Sequence, residues 1–115
     1  MAERLIYHMC RRAEWQAAER AGAYRGSSQD QTDGFIHFST AAQLAGSAAK
    51  HRAGQSDLVL VAVEPVSLGE ALRWEKARDG ALFPHLYGAL TLSSVRWVKE
   101  MPLGQDGRHL LPALE

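Results

Sequence analysis

The sequence predicts an α+β domain with a mixed or antiparallel sheet, and three observations lead to this class. Two segments with helical character lie in the first half of the chain, at 11–21 and 41–52. The second half carries short alternating or wholly apolar runs, which are typical of strands. The length of 115 residues suits one domain. Helices early and strands late are the order expected of an α+β fold.

The first elements follow from local periodicity and from residues that end helices. Arg4–Met9 alternates its side chains and predicts the first strand. Arg11–Ala21 is rich in Ala, Glu and Arg and predicts a helix that ends at Gly22. Tyr24–Gly34 is polar and predicts a loop of about ten residues, longer than most connections and therefore a candidate binding element. Phe35–Phe38 predicts a short strand.

A second helix and a buried strand come next. Thr40 and Gln43 fit a capping box, in which each side chain satisfies a free backbone amide at the start of a helix. That helix is predicted to run to about Arg52. Leu58–Glu64 is apolar up to its last residue and predicts a strand buried on both faces, which Pro65 ends.

The last third of the chain is predicted to be mostly strand. Alternation predicts a half-buried strand and a later one that carries Val95, Trp97, Lys99 and Met101 on one face. Asp79-Gly80 is typical of a tight turn. The predicted segments are Ala71–Glu75, Ala81–Phe83, Val95–Met101 and a short Arg108–Leu111 strand.

Composition excludes several classes of protein. Thirteen Lys and Arg balance thirteen Asp and Glu, so neither a nucleic-acid surface nor attraction to an anionic membrane is indicated. A single cysteine, Cys10, excludes an internal disulfide and a CxxC motif. The apolar run Leu58–Val63 is too short to cross a bilayer, and the first residues do not resemble a signal peptide. We therefore expect a cytoplasmic protein, with a monomer as the default.

The domain is predicted to cover residues 1–113. Residues 114–115, Leu-Glu, resemble the scar of a purification tag and receive no functional weight.

Five histidines are the groups that can change the net charge of this balanced chain between roughly pH 5 and 8. His8 ends the first predicted strand, His37 precedes a helix within GFIHFS, and His85 lies within FPHLYG beside a turn. Each alone is most simply a half-buried histidine bonded to backbone, but together they predict one cleft. His51 and His109 are predicted to be solvated surface. If the first three point to separate surfaces, the functional interpretation fails.

Other polar residues have both a functional and an ordinary interpretation. Ser39 and Thr40 open the second helix and predict either an anion site or plain capping. Glu75 is a candidate general base or ribose ligand, or an exposed carboxylate paired with a neighbouring cation. Tyr24 and Tyr87 are candidates to stack on a ligand ring, or to pack at the rim of the core.

Three weaker alternatives concern metal, nucleophile and phosphate contacts. A zinc site on His8, His37 and His85 lacks the short-range ligand pair that many zinc sites use, and no metal is expected. Nothing around Cys10 indicates a reactive thiolate. Arg11 and Arg12 lie where they can pair with a phosphate, although a solvated first helical turn also explains them.

Five motifs in order, IYHM, DGFIHFS, LVLVAVE, RWE and FPHLYG, resemble domain-of-unknown-function family 952, a group of small bacterial proteins. The resemblance covers roughly Leu5 to Met101. That family is similar to the ADP-ribosyltransferase fold, which includes the RNA 2′-phosphotransferases. The resemblance implies a small split mixed sheet with two helices that grips NAD in a central cleft.

The resemblance also implies roles for individual residues. His8 corresponds to the histidine that bonds the adenosine ribose of NAD. His37 stands in place of a tyrosine that packs against the nicotinamide ribose or ring, and Ser39 follows at the cleft edge. The third position is normally a glutamate that stabilises a ribosyl cation, whereas here the candidate is His85, helped by Glu75. An imidazole does not stabilise a cation as a carboxylate does, but it can bind phosphate or act as acid or base.

The leading prediction is a nucleotide-binding enzyme, an ADP-ribosyl or 2′-phosphotransferase-like transferase. Its substrate is NAD or an ADP-ribosyl derivative held at His8, His37 and His85, with Tyr24 and Tyr87 as walls. The alternative is a non-catalytic nucleotide-binding module of the same fold, and after that a histidine-ligated metal protein. For an anionic nucleotide we expect affinity to rise as pH falls through histidine titration.

Overall fold

The computed structural model describes residues 4–114, which form three α-helices and eight strands. The helices are α1 (Arg12–Ala21), α2 (Ser28–Asp33) and α3 (Ala41–His51). The strands are β1 (Ile6–Arg11), β2 (Ala23–Tyr24), β3 (Ile36–His37), β4 (Leu58–Val63), β5 (Leu72–Lys76), β6 (Leu82–Leu86), β7 (Leu90–Thr91) and β8 (Val95–Glu100). Short 3₁₀ turns lie at Pro65–Ala71 and Leu92–Ser94. The α+β class predicted from the sequence is confirmed.

The strands form three antiparallel sheets, so of the mixed and antiparallel arrangements that the sequence left open, the antiparallel one is found. Their orders are β1-β4-β8, β3-β6-β5 and the two-stranded β2-β7. A single bridge connects the first two sheets, in which the amides and carbonyls of Tyr7 and Ser39 bond each other at 2.8 Å. The chain therefore passes from one sheet to the other just before α3 begins, and the two sheets diverge from that point.

β4 is the centre of the core. All six of its residues are buried, as the sequence predicted, because it lies between β1 and β8 and is covered on both faces. Val59, Val61 and Val63 pack into a cluster with Trp15 and Ile36. Its alternate residues, Leu58, Leu60 and Ala62, pack with Leu44 of α3 and with Tyr7. The core thus fixes β1 and α3, two of the elements that surround the candidate site.

The predicted loop at Tyr24–Gly34 is wrong in its middle, where α2 forms. Ser27 caps this helix: its hydroxyl accepts from the amide of Asp30, and the Asp30 carboxylate accepts from the amide of Ser27. Gly34 ends the helix with a φ of 89°, a left-handed conformation that glycine adopts without strain. The helix has no apolar stripe, and its end groups therefore carry its stability.

Two late segments also differ from prediction. β6 extends beyond Ala81–Phe83 to Leu86, so His85 lies inside a strand and not beside a turn. The strand expected at Arg108–Leu111 is reduced to an isolated bridge between Leu103 and His109. Of the helices within residues 4–114, none has the length and apolar content that a membrane crossing needs.

Two expectations concern the chain termini and fall in part on residues that the structure leaves undescribed. Residues 1–3 belong to the segment that does not resemble a signal peptide, and Glu115 belongs to the predicted tag scar. Leu114, the other residue of that scar, packs against the cluster around Leu5 and Tyr7.

Candidate functional site

A cleft of about 920 Å³ lies between β1, α2, α3 and the β5–β6 hairpin. This volume is within the range of small-molecule sites. His8, His37 and His85 all line it, although they come from three different strands. The three histidines that the sequence singled out are therefore brought together by the fold.

His8 is buried, and both of its ring nitrogens are bonded within the protein. Its Nδ1 lies 2.6 Å from the carbonyl oxygen of His37, which only accepts, so Nδ1 carries the proton. Nε2 then accepts from the hydroxyl of Tyr24 at 2.7 Å. Burial lowers the pKa of His8 in spite of the Asp30 carboxylate 3.6 Å away. A ribose contact, the role that the family resemblance implies, requires His8 to give up one of these bonds.

Tyr24 lies behind His8 and does not line the cleft. Its ring packs against His8 and Trp15, with centroids 5.1 and 5.4 Å apart. Burial raises the pKa of its phenol, and the hydroxyl is used by His8. The expectation that Tyr24 forms a wall for a ligand ring is therefore replaced by rim-of-core packing, the alternative that the sequence left open.

Asp30 is a residue of the site that the sequence did not single out. Its side chain is only 3% exposed, and its oxygens accept from the amides of Ser27 (2.8 Å) and His37 (3.2 Å). Oδ1 also lies 2.6 Å from Nδ1 of His37. Burial raises the pKa of this carboxyl, but hydrogen bonds from the His37 side chain and from the Ser27 amide outweigh burial and bring it to about 2. Asp30 is thus a fixed anion beneath His37.

His37 faces a second carboxylate as well. Its Nε2 lies 3.1 Å from Oδ2 of Asp33, and its side chain is 41% exposed at the cleft. Only an imidazolium carries a proton on both nitrogens, so only that form donates to Asp30 and Asp33 together.

His85 lies directly opposite His37, because the two residues are register partners in β6 and β3. Its Nδ1 is 2.8 Å from Oε1 of Glu75, and the ring centroids of the two histidines are 5.5 Å apart. Phe35 packs on both rings, at 4.1 Å from His85 and 4.5 Å from His37. The two imidazoles are therefore held by neighbouring strands and by one shared aromatic side chain.

Glu75 and Tyr87 lie behind His85 and do not line the cleft. The Tyr87 hydroxyl donates to Oε1 of Glu75 at 2.7 Å, and the ring of Tyr87 packs under Arg73. Hydrogen bonds from Tyr87 and His85 lower the pKa of Glu75. Glu75 is thus placed to orient His85, while the expectation that Tyr87 walls the pocket is not met.

The start of α3 uses its own side chains as caps. Thr40 and Gln43 form the predicted capping box, and the Ser39 hydroxyl donates to Ser47 at 2.9 Å. Ser39 lines the cleft as expected. Plain capping, one of the two interpretations of this helix start, accounts for these groups.

Four cations line the cleft and have no carboxylate within 4.0 Å among residues 4–114: Arg11, Lys50, Arg52 and Arg78. The Arg52 guanidinium is oriented by the carbonyl of Met9 at 3.0 Å and by the side chain of Gln55 at 3.1 Å. Arg12, by contrast, pairs with Asp57 and Glu100, so it is not placed for the phosphate contact considered from the sequence.

The two remaining histidines differ from each other. His51 is exposed at the end of α3, yet it also lines the cleft, and burial together with the Lys50 charge lowers its pKa. His109 was predicted to be solvated surface, and that prediction is wrong. It is partly buried, and its Nε2 donates to the carbonyl of Gln55 at 2.7 Å.

Two further groups bear on the chemistry. Burial raises the pKa of the Cys10 thiol to about 12, which makes it a poor nucleophile. Within residues 4–114, no group of three or more His, Cys, Asp or Glu side chains is arranged to hold a metal ion.

The α3 wall of the cleft is made of small residues where it is widest. Ala42 and Gly46 line it, and a Cβ built on Gly46 meets no atom within 4 Å. The space beside Gly46, on the cleft side of α3, is therefore empty.

Comparison with known proteins places this fold in a family. Residues 9–98 match the family described as "Protein of unknown function (DUF952)". A search of curated proteins gives no match.

Solved structures of one relative are also similar. The crystal structure of protein CC0527 from Caulobacter crescentus is 48% identical, with a TM-score of 0.88 over 92% of this chain and 93% of that chain. Its solution NMR structure is 49% identical, with a TM-score of 0.81 over 90% of each chain. The match over most of the sequence and the shared fold together establish that this chain belongs to the DUF952 family of proteins of unknown function.

Proposed function

We propose that the cleft binds a nucleotide substrate with a ribosyl group and phosphate, such as NAD or an ADP-ribosyl derivative. The observation that carries this proposal is the lining of the cleft. Four histidines, and four cations without carboxylate partners in the described part of the chain, meet in one cavity of about 920 Å³. Such a cavity accommodates a dinucleotide-sized ligand.

The charges of the chain support a local mode of attraction. The formal net charge is zero, so the protein as a whole does not steer an anion. Lys50 and Arg52 lie at one side of the cleft, and Arg52 is already oriented by Met9 and Gln55. Phosphate oxygens accept strong charge-assisted hydrogen bonds from such groups.

An enzymatic role is supported by the carboxylate behind His85. The Glu75 carboxylate accepts a hydrogen bond from Nδ1 of His85, so Nε2 is left to exchange a proton with a substrate. An oriented imidazole is the usual general acid or base near neutral pH. The transferase activity that the family resemblance implies, ADP-ribosyl or 2′-phosphotransferase-like, is therefore part of this proposal.

One observation favours a second candidate, a non-catalytic nucleotide-binding module. Both nitrogens of His8 are committed to His37 and Tyr24, whereas the resemblance implies a ribose contact there. In that case nucleotide binds at the cleft, and no product forms during long incubation.

Calorimetry with NAD and ADP-ribose tests the proposal. We expect binding, a rise in melting temperature, and shifts of the NMR resonances of His37 and His85. The substitution Lys50→Gln should weaken binding by about tenfold at low salt, because it removes one cation from the cleft. The control Arg96→Gln removes a cation that pairs with Glu64 outside the cleft, and it should bind as the wild type does. Absence of any response to both nucleotides overturns the proposal.

A further inference from the structure

We propose that the cleft hydrolyses a nucleotide phosphodiester whose leaving group is a sugar hydroxyl. The reaction uses two histidines, each oriented by a carboxylate: His37 by Asp30, and His85 by Glu75. His37 acts as the proton donor and His85 as the proton acceptor. This inference rests on the proposed function, since it names the reaction for the nucleotide bound in the cleft.

The two halves of the site have the same construction. Each histidine presents Nδ1 to a carboxylate, at 2.6 Å from Asp30 and at 2.8 Å from Glu75. A carboxylate on Nδ1 fixes the orientation of each ring. Nε2 of His85 is left for the substrate, whereas Nε2 of His37 faces Asp33 at 3.1 Å, and the leaving oxygen must replace Asp33 as its acceptor. Both histidines line the cleft, and their ring centroids are 5.5 Å apart. Two oriented imidazoles on one cavity are what a reaction needs when it removes one proton and supplies another.

The partners of each ring distinguish the roles. His37 lies between Asp30 and Asp33, and only its imidazolium donates to both. His37 is therefore the proton donor. Asp33 lies at the position from which the leaving oxygen accepts that proton in the reaction. His85 meets one carboxylate, Glu75, so its neutral ring keeps an unprotonated Nε2 that accepts a proton.

The carboxylates of the cleft favour reaction at phosphorus over reaction at the ribose carbon. A ribosyl cation needs a free anion beside it. Among the acidic residues that line the cleft, Asp30 and Asp33 face His37, Glu14 accepts from the amide of Arg11, and Asp79 accepts from the amide of Ala81. Each is already engaged, while the cations of the cleft suit a phosphate.

The step balances with water as the co-reactant. Water attacks phosphorus, and its proton passes to Nε2 of His85 while the new O–P bond forms. The P–O bond to the sugar breaks, and Nε2 of His37 gives its proton to the leaving oxygen. The products are a phosphomonoester and a sugar hydroxyl. Solvent then returns the proton from His85 to His37, which restores both rings.

The step requires a neutral His85 and a protonated His37, so the charged groups around each ring bear on it. The groups that face His37 are Asp30 and Asp33 from the α2 segment, His85 from β6, and His8, whose Nδ1 bonds the His37 carbonyl. His51 of α3 also interacts with His37. His85 faces Glu75 and its register partner Arg73 from β5, and His37 from β3.

The test uses two probes that differ in the leaving group. Adenosine 2′,3′-cyclic phosphate releases a sugar hydroxyl that needs a proton. The p-nitrophenyl ester of adenosine 5′-phosphate releases an anion that does not. For His37→Asn we expect kcat to fall at least about 100-fold on the cyclic phosphate and to change little on the nitrophenyl ester. His85→Asn should lower kcat about 100-fold on both probes.

Two further variants test the positioning residues. Glu75→Gln should reduce kcat on both probes about tenfold and leave KM unchanged, since the amide does not hold the His85 ring as a carboxylate does. The matched control Glu64→Gln changes an exposed carboxylate that pairs with Arg96, and it should leave both rates unchanged.

The outcomes separate this inference from the proposed function. Calorimetric binding of the probes without hydrolysis by the wild type overturns the inference and leaves nucleotide binding intact. Hydrolysis that persists within about twofold in both histidine variants also overturns it. If no nucleotide binds, the proposed function and the inference fall together.

Discussion

Oδ1 of Asp30 lies 2.6 Å from Nδ1 of His37 and also accepts a hydrogen bond from the backbone amide of that residue. The same carboxylate accepts from the amide of Ser27. One buried anion therefore fixes the backbone and the side chain of His37 at once. The imidazole at the cleft is consequently oriented before any ligand arrives, which reduces the entropic cost of binding.

Asp30 should make the protein less stable in acid. Its pKa is lowered from 3.8 to about 2 in the folded state, so its stabilisation is present above about pH 4 and is lost as pH falls toward 2. The shift corresponds to about 2 kcal/mol. Urea unfolding at pH 7, 4 and 3 should show this loss for the wild type, and a flatter profile for Asp30→Asn. The control Asp106→Asn, in an exposed turn, should keep the wild-type slope.

His8 should remain neutral at pH values where an ordinary histidine becomes charged. Burial lowers the pKa of His8 in the folded state below the usual 6.5, so the unfolded chain takes up the proton more readily. The contribution of His8 to stability is therefore complete above about pH 6.5 and decreases as pH falls. Long-range ¹H–¹⁵N spectra at pH 6 should show a proton on Nδ1 and none on Nε2. Observation of the doubly protonated ring at that pH contradicts the hydrogen-bond assignment.

Removal of the Tyr24 hydroxyl should destabilise the fold. Tyr24→Phe leaves Nε2 of the buried His8 without its donor, at a cost of about 1–3 kcal/mol in the free energy of unfolding. Tyr87→Phe is the matched control, because it removes an exposed hydroxyl that donates to Glu75. Chemical denaturation should show a lower midpoint for the first variant only. Equal midpoints for both variants refute a structural role for the Tyr24–His8 bond.

Substitutions at Gly46 should separate ligand binding from folding. Gly46→Ala should stabilise α3 by up to about 1 kcal/mol, because its methyl group meets open space and alanine favours the helix. Gly46→Leu extends a side chain into the cleft and should weaken nucleotide binding by at least about tenfold without lowering the melting temperature. Undiminished binding by the leucine variant shows that the ligand lies elsewhere.

The elements that the sequence predicted well are those with strong periodicity or clear end signals. The apolar run of β4 and the Thr40–Gln43 box of α3 were both confirmed, since one depends on burial and the other on local hydrogen bonds. α2 was missed because it has no apolar stripe, although Ser27, Asp30 and Gly34 carried its start and stop signals. Short polar helices are detected by their caps more readily than by their periodicity.

The site was predicted only in outline. His8, His37 and His85 were identified because each lies in an aromatic or glycine-containing motif, but their partners are distant in sequence. Tyr24 is 16 residues from His8, and the His37 carbonyl is 29 residues away. Asp30 gave no separate signal, because an aspartate in a polar segment resembles solvated surface. These pairings join strands of different sheets, so they depend on how the sheets pack together, which the local sequence does not encode.

The strand that carries His37 is only two residues long, and this brevity bears on how long the site stays assembled. β3 is attached to β6 by few bonds, among them that from the Phe38 amide to the Pro84 carbonyl at 3.0 Å. A strand with few backbone hydrogen bonds can open at a free energy below that of global unfolding. Amide exchange at Phe38 should therefore report the lifetime of the facing histidines, while exchange in β4 reports the lifetime of the fold. Loss of the site by local opening is thus distinguished from unfolding of the whole domain.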